Sequence, residues 1–244
     1  MKVLMPFSLS RSAAMLLTAT AAALPLAGHA QSFCASDGQP RPAQLLERFI
    51  NADCDTCWSD AATPRATPGQ VALDWVLPGS KGDDAPLSAV ATRDAQARLE
   101  SLRQPVPAGA AAYTQPAGNL RGATLRVSHG VPMTDYVGAS IELKPIPAAA
   151  KKHVWTGWLA LVETLPAGTE GSPVERNLVR NLLQTTWDGG KPLSKSEQNR
   201  FFDARSMGVS SGITTSRLRV VGWVEDAKGR VLAAAQSRCE TPKP

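Results

Sequence analysis

Two cysteines three positions apart, Cys54 and Cys57, stand directly behind a compact apolar segment, Arg41 to Asn51 (RPAQLLERFIN). That placement constrains the chain more than any other feature. The segment suits a first strand with Leu45, Leu46, Phe49 and Ile50 buried. Two thiols at this spacing close a small ring with little backbone rearrangement. If Cys57 opens a helical turn, Cys54 sits at a helix N-terminus, where unpaired N–H groups and the dipole favour a thiolate. The thiolate is the form that attacks disulfides. Cys54 is then the exposed nucleophile and Cys57 the resolving thiol, and both are candidate catalytic residues. Two other readings compete. A structural disulfide without turnover gains weight from Pro64 and Pro68, which shorten any helix after the cysteines. A zinc site needs about two more ligands; Cys34, Cys239, His129 and His153 are present but lack motif spacing, so no metal or other cofactor is expected.

The compartment decides whether such a ring can persist. Residues 1–30 read as a signal peptide: Lys2 and Arg11 ahead of the apolar run Ala13–Leu26, then Gly28 and Ala30 before a cut at Gln31. The run covers 14 residues, short of the ~20 that span a bilayer. No stable membrane insertion is expected after cleavage, and the mature chain should be periplasmic or secreted, where disulfides persist. Cleavage removes two of the 26 Lys and Arg and none of the 21 acidic residues, so the formal charge falls from +5 to +3. That balance is too mild for electrostatic nucleic-acid binding. A hydrophobic share of 43% with six tryptophans excludes a disordered chain.

Cys34 and Cys239 lie 205 positions apart near the ends of the mature chain. Four cysteines allow three pairings and spacing does not choose among them. The expected set is Cys34–Cys239 with Cys54–Cys57. A bond across nearly the whole chain has a loop-entropy worth of ~5 kcal/mol.

Val71–Leu77 reads as a buried strand, Leu87–Leu102 carries helical spacing, and Ala110–Thr114 is a short strand. Beyond Pro116 the texture becomes strand-rich. Leu120–Val127, Val137–Leu143 and His153–Thr164 are separated by Gly/Pro turns, and both faces of the last are apolar. Val174–Trp187 reads as a strand from its setting. Leu218–Glu225 and Val231–Ser237 form a hairpin around Asp226–Gly229. Residues 191–216 read as a long loop with at most one short element. The expected fold class is α+β. Residues 31–118 form a truncated thioredoxin-like α/β domain, and 119–244 a β-sandwich-like domain.

Other candidates are weaker. Pro116 follows the short strand after the helix, where thioredoxin-like folds place a cis-proline beside the redox cysteines; a trans turn serves equally well there. Glu47, two residues before Phe49, is a candidate proton relay or a paired structural acid. His129 lacks a serine and an acid in motif, Ser210-Ser211-Gly212 is not a nucleophile elbow, and Gly189-Gly190-Lys191 lacks phosphate-loop spacing.

Leu46 to Cys57 (LERFINADCDTC) resembles the strand-plus-CxxC signature of a bacterial secreted thioredoxin-like family catalogued as domain of unknown function 1223. Ala112-Tyr113-Thr114-Gln115-Pro116 resembles its Tyr-Thr-Pro turn, with Gln115 inserted. Asn177-Leu178-Val179-Arg180 is similar to its Asn-Val-Val-Arg segment, and Val220–Ala235 resembles its closing hairpin. The resemblance runs in order through most of 40–238. It implies a thioredoxin-like domain followed by a β-rich one, and it carries no substrate. In that family a proline-led helix usually follows the CxxC, whereas Trp58 stands here. The expected function is exported thiol–disulfide exchange through Cys54 and Cys57, with exported protein thiols or disulfides as partners. The alternative is a non-enzymatic cell-envelope binding protein on a degenerate thioredoxin-like scaffold.

Overall fold

The computed structural model describes residues 34–190, 199–210 and 212–239; the expected signal peptide lies outside them. The described chain is mostly β. Its strands are β1 (Cys34–Ala35), β2 (Gln44–Asn51), β3 (Gln70–Leu77), β4 (Ala110–Pro116), β5 (Thr124–His129), β6 (Tyr136–Lys144), β7 (Val154–Leu165), β8 (Arg176–Asp188), β9 (Phe201–Gly208), β10 (Leu218–Glu225), β11 (Val231–Gln236) and β12 (Arg238–Cys239). Among the described residues the α-helix is α1 (Arg93–Ser101), opened by Thr92, whose side chain accepts from the Ala95 N–H.

The strands form two sheets, ordered β12-β1-β5-β6-β9 and β11-β10-β7-β8-β3-β2-β4. They stack as a sandwich over one apolar layer. Val127, Ile141 and Phe201 of the smaller sheet meet Leu159, Leu161 and Val220 of the larger. Gly222 on β10 makes this approach close: a Cβ there would stand 2.5 Å from Val127 Cγ1. The other face of the seven-stranded sheet packs under α1, where Leu45, Phe49, Trp75, Trp158 and Trp223 meet Ala95 and Leu99. Thus β7 is covered on both faces, as its double apolar pattern requires.

The larger sheet takes β2, β3 and β4 from 31–118 and β7, β8, β10 and β11 from 119–244. No break in this sheet coincides with the boundary expected near 118, and the described residues belong to one compact unit. The join is narrow. β3 and β8 run parallel with a register pair at Asp74 and Leu178. Buried polar bonds hold it: the Asp74 carboxylate accepts from the Asn177 N–H at 2.8 Å, and Asn177 Nδ2 donates to the Ala72 carbonyl at 3.0 Å. A second departure is β9, which lies in the stretch expected to be loop and pairs along β6 from Tyr136–Gly208 to Leu143–Phe201.

Candidate functional site

β2 delivers the chain to Cys54 at its C-terminal end. The turn is tied by backbone and side chain alike: Cys54 N–H donates to the Asn51 carbonyl at 3.0 Å, and Asp53 N–H to Asn51 Oδ1 at 2.9 Å. Asn51 also fastens the approach to β4, donating from its N–H to the Gly109 carbonyl at 2.7 Å and from Nδ2 to Pro107 at 3.2 Å. Asp53 reaches the other way. Its carboxylate accepts from the Ser80 hydroxyl, the Ser80 N–H and the Lys81 N–H at 2.7, 2.6 and 3.1 Å. The Ser80 hydroxyl holds that carboxyl below its ordinary value; burial opposes it, and the two amides and the Lys81 charge lower it further.

Cys54 and Cys57 are joined in a disulfide. Both are half-buried, while Asp55 and Thr56 between them are exposed. Gly109 lies directly against the ring: a Cβ there would stand 3.3 Å from Cys57 Sγ and 3.7 Å from Cys54 Sγ. No helix follows the cysteines; residues 58–69 form turns and irregular chain. Pro64 and Pro68 lie in this stretch, and Trp58, buried with Ile50, Val76 and Leu178, anchors it on the face opposite α1. The helix-dipole route to a thiolate is therefore absent at Cys54.

A buried charge cluster holds this irregular segment. Arg48 on β2 and Arg176 on β8 both pair with Asp74 on β3, at 2.6 and 3.0 Å. Arg48 also donates to the carbonyls of Pro64 and Glu175 at 2.8 and 2.9 Å. Arg176 donates to the Trp58 carbonyl at 2.9 Å and lies over the Trp58 ring at 4.9 Å. Two guanidiniums share the Asp74 carboxylate, and Asp60 adds a second acidic charge that acts on Arg176. Burial pushes the Arg176 guanidinium down; Asp74 opposes that shift and Arg48 adds to it. A cleft of about 210 Å³ opens beside the cluster, lined by Arg48, Cys57, Asp60, Thr63 and Arg176 and by Ala110–Ala112 of β4.

The other sequence candidates fall elsewhere. Pro116 ends β4 opposite Gln44, whereas Ala110, at the other end, pairs with Ile50 beside the cysteines. Pro116 therefore does not flank the thiols; antiparallel pairing carries it to the far end of β2. The cis peptide bond among the described residues is Lys144–Pro145. Glu47 does not serve the cysteines either. Its side chain sits on the α1 face, buried and bound by Arg98 through Nε at 2.8 Å and Nη2 at 2.6 Å. Arg98 also pairs with Glu225 at 2.8 Å and lies against the Trp158 and Trp223 rings. Cys34 is bonded to Cys239, joining β1 to β12. His129 pairs in register with Cys34 on β1. Ser211 and Lys191 lie outside the described residues.

Sequence reasoning missed Arg48, Asp53, Asp74, Gly109 and Arg176. A signal existed for two of them: Arg48 and Asp74 each interrupt an otherwise apolar strand, and a charge there must find a buried partner. Nothing local marks Gly109 or Arg176, because their roles arise from pairings with distant strands.

Among the described residues no helix is long and apolar enough to cross a membrane, and the two disulfides are compatible with an oxidising, extracytoplasmic setting. No family model matches the chain, and no curated protein matches it. Among solved structures it is similar to HBP35 of Porphyromonas gingivalis, at 12% identity and a TM-score of 0.49, over 84% of this chain and 77% of that one. Likeness this weak bears on neither fold detail nor function.

Proposed function

We propose that this chain is an exported thioredoxin-like protein that exchanges thiols and disulfides through Cys54 and Cys57. The observation that carries the reading is a half-exposed disulfide at the end of β2, beside a cleft that two guanidiniums line. A substrate thiolate attacks Cys54 Sγ, the Cys54–Cys57 bond breaks, and Cys57 leaves as a thiolate. A second substrate thiol then attacks the mixed disulfide, releasing oxidised substrate and the Cys54 thiolate. The guanidinium charges of Arg48 and Arg176, in the cleft that Cys57 and Asp60 also line, favour the departing Cys57 thiolate, and a better leaving thiolate leaves faster. This charge stands in for the missing helix dipole. The strand order β3-β2-β4 supports a truncated thioredoxin-like unit: β3 runs parallel to β2, β4 antiparallel, and α1 lies on the connection. The sequence resemblance to the secreted family with the same CxxC placement points the same way. Exported protein thiols are the proposed substrates.

Glutathione exchange and insulin reduction, with a Cys54→Ala control, test the proposal. Exchange should be present in the parent and lost in the variant. Absent activity, or activity that the substitution leaves unchanged, overturns it. Gly109→Ala should slow exchange with little change in stability, since the added methyl presses on both sulfurs.

The absence of a helix after Cys57 favours a second reading, a non-enzymatic cell-envelope binding protein on a degenerate thioredoxin-like scaffold. Capture of an envelope partner that survives loss of both Cys54 and Cys57, together with no exchange activity, would select it.

A further inference from the structure

The terminal disulfide has a neighbour that the exchange reading does not use. In the order β12-β1-β5, Cys34 stands opposite Cys239 on one side and His129 on the other. The two sulfurs and a ring nitrogen of His129 lie within 4.8 Å of one another. His129 is 3% exposed. Its Nδ1 lies 2.8 Å from the Gly130 carbonyl oxygen. A carbonyl only accepts, so the proton sits on Nδ1 and Nε2 carries a bare lone pair. That Nε2 is buried and has no hydrogen-bond partner. One ring N–H anchored on a carbonyl with the other nitrogen bare is how a histidine is prepared to ligate a metal.

We propose that reduction of Cys34–Cys239 converts this clasp into a zinc(II) site, with Cys34 Sγ, Cys239 Sγ and His129 Nε2 as ligands and water in the fourth position. A dithiol reductant passes two electrons and two protons to the S–S bond, giving two thiols and the reductant's own disulfide. Zinc(II) then displaces both thiol protons to solvent and forms two Zn–S bonds and one Zn–N bond, without change of its oxidation state. Two thiolates and an imidazole are a donor set that suits zinc. Tetrahedral Zn–S bonds of ~2.3 Å set the sulfurs about 3.8 Å apart, so the two sulfurs, 2.02 Å apart in the disulfide, part once it is reduced. Cys239 is half-buried in a two-residue strand, which gives a reductant access and leaves the sulfur room to move. The metal keeps β1 tied to β12 when the disulfide is gone. This inference does not depend on exchange at Cys54 and Cys57.

The test uses the full chain carrying Cys54→Ser and Cys57→Ser, so the other thiol pair cannot contribute. The protein is reduced with a phosphine, freed of metal and titrated with cobalt(II), then zinc(II). One cobalt per chain should bind with intense sulfur-to-metal charge-transfer absorption, zinc should displace it, and the oxidised protein should bind none. His129→Gln should weaken cobalt binding on the order of 100-fold, as expected when one ligand of a structural site is lost. Should that variant not fold, the His129 ring resonance of the reduced protein decides, because the chain has only three histidines: zinc should shift it. No charge-transfer absorption, equal affinity in a folded His129→Gln variant, or an unmoved ring resonance overturns the proposal.

Discussion

At the scale of single residues, the cysteine turn is defined by polar bonds. Asp53, beside Cys54, holds residues 80–81 through three accepted hydrogen bonds. Its carboxyl titrates lower in the folded chain than in the unfolded one. The tether is therefore complete above the unfolded carboxylate value and is lost as pH falls through the lowered folded value. Hydrogen exchange at the Ser80 and Lys81 amides should speed up on Asp53→Ala at neutral pH, and NMR titration should place the Asp53 carboxyl below the ordinary aspartate range. An ordinary titration would contradict this account of the turn. The cysteine spacing was legible from sequence because it is local. The Asp53 tether was not, because its donors lie on a loop that begins 27 residues away.

At the scale of elements, α1 is fixed to the larger sheet by one arginine. Arg98 spans Glu47 on β2 and Glu225 on β10 and sits between two tryptophan rings. Arg98→Ala leaves two carboxylates buried without their cation, and loss of one partner in a buried pair costs about 3–5 kcal/mol. Urea unfolding should read a loss of that size; a loss below ~1 kcal/mol, the range of exposed pairs, would contradict the assigned role. The strands 70–77, 218–225 and 231–236 and the helix within 87–102 were legible because apolar periodicity marks them. The helical turn that the exchange reading needs after Cys57 is absent; Pro64 and Pro68 stand in its path, and Trp58 is held by packing and by Arg176. β9 was illegible for the opposite reason. Its residues do not alternate apolar with polar: Phe201 and Met207 are buried and most of the rest exposed, and pairing with β6 makes it a strand.

At the scale of the whole molecule, the two sheets meet through Gly222. Gly222→Ala drives a methyl into Val127 and Ile141 of the facing sheet. Overpacking of this kind costs about 1–3 kcal/mol, so the urea midpoint should fall with the slope unchanged. The continuous seven-stranded sheet was not legible in the sequence, since its join rests on Asp74, Arg176 and Asn177, buried polar groups that no hydrophobic pattern reports. This architecture gives the two disulfides different settings. Cys34–Cys239 clasps β1 to β12, with Cys34 buried, whereas Cys54–Cys57 closes a half-exposed loop beside a cleft lined by Arg48, Arg176 and Asp60. The most direct test of the account is the reduction potential of the Cys54–Cys57 pair, measured by equilibration with glutathione buffers. The account predicts a value above ~−250 mV, in the range of exchanging oxidoreductases; a value below ~−300 mV, typical of inert structural disulfides, would contradict it.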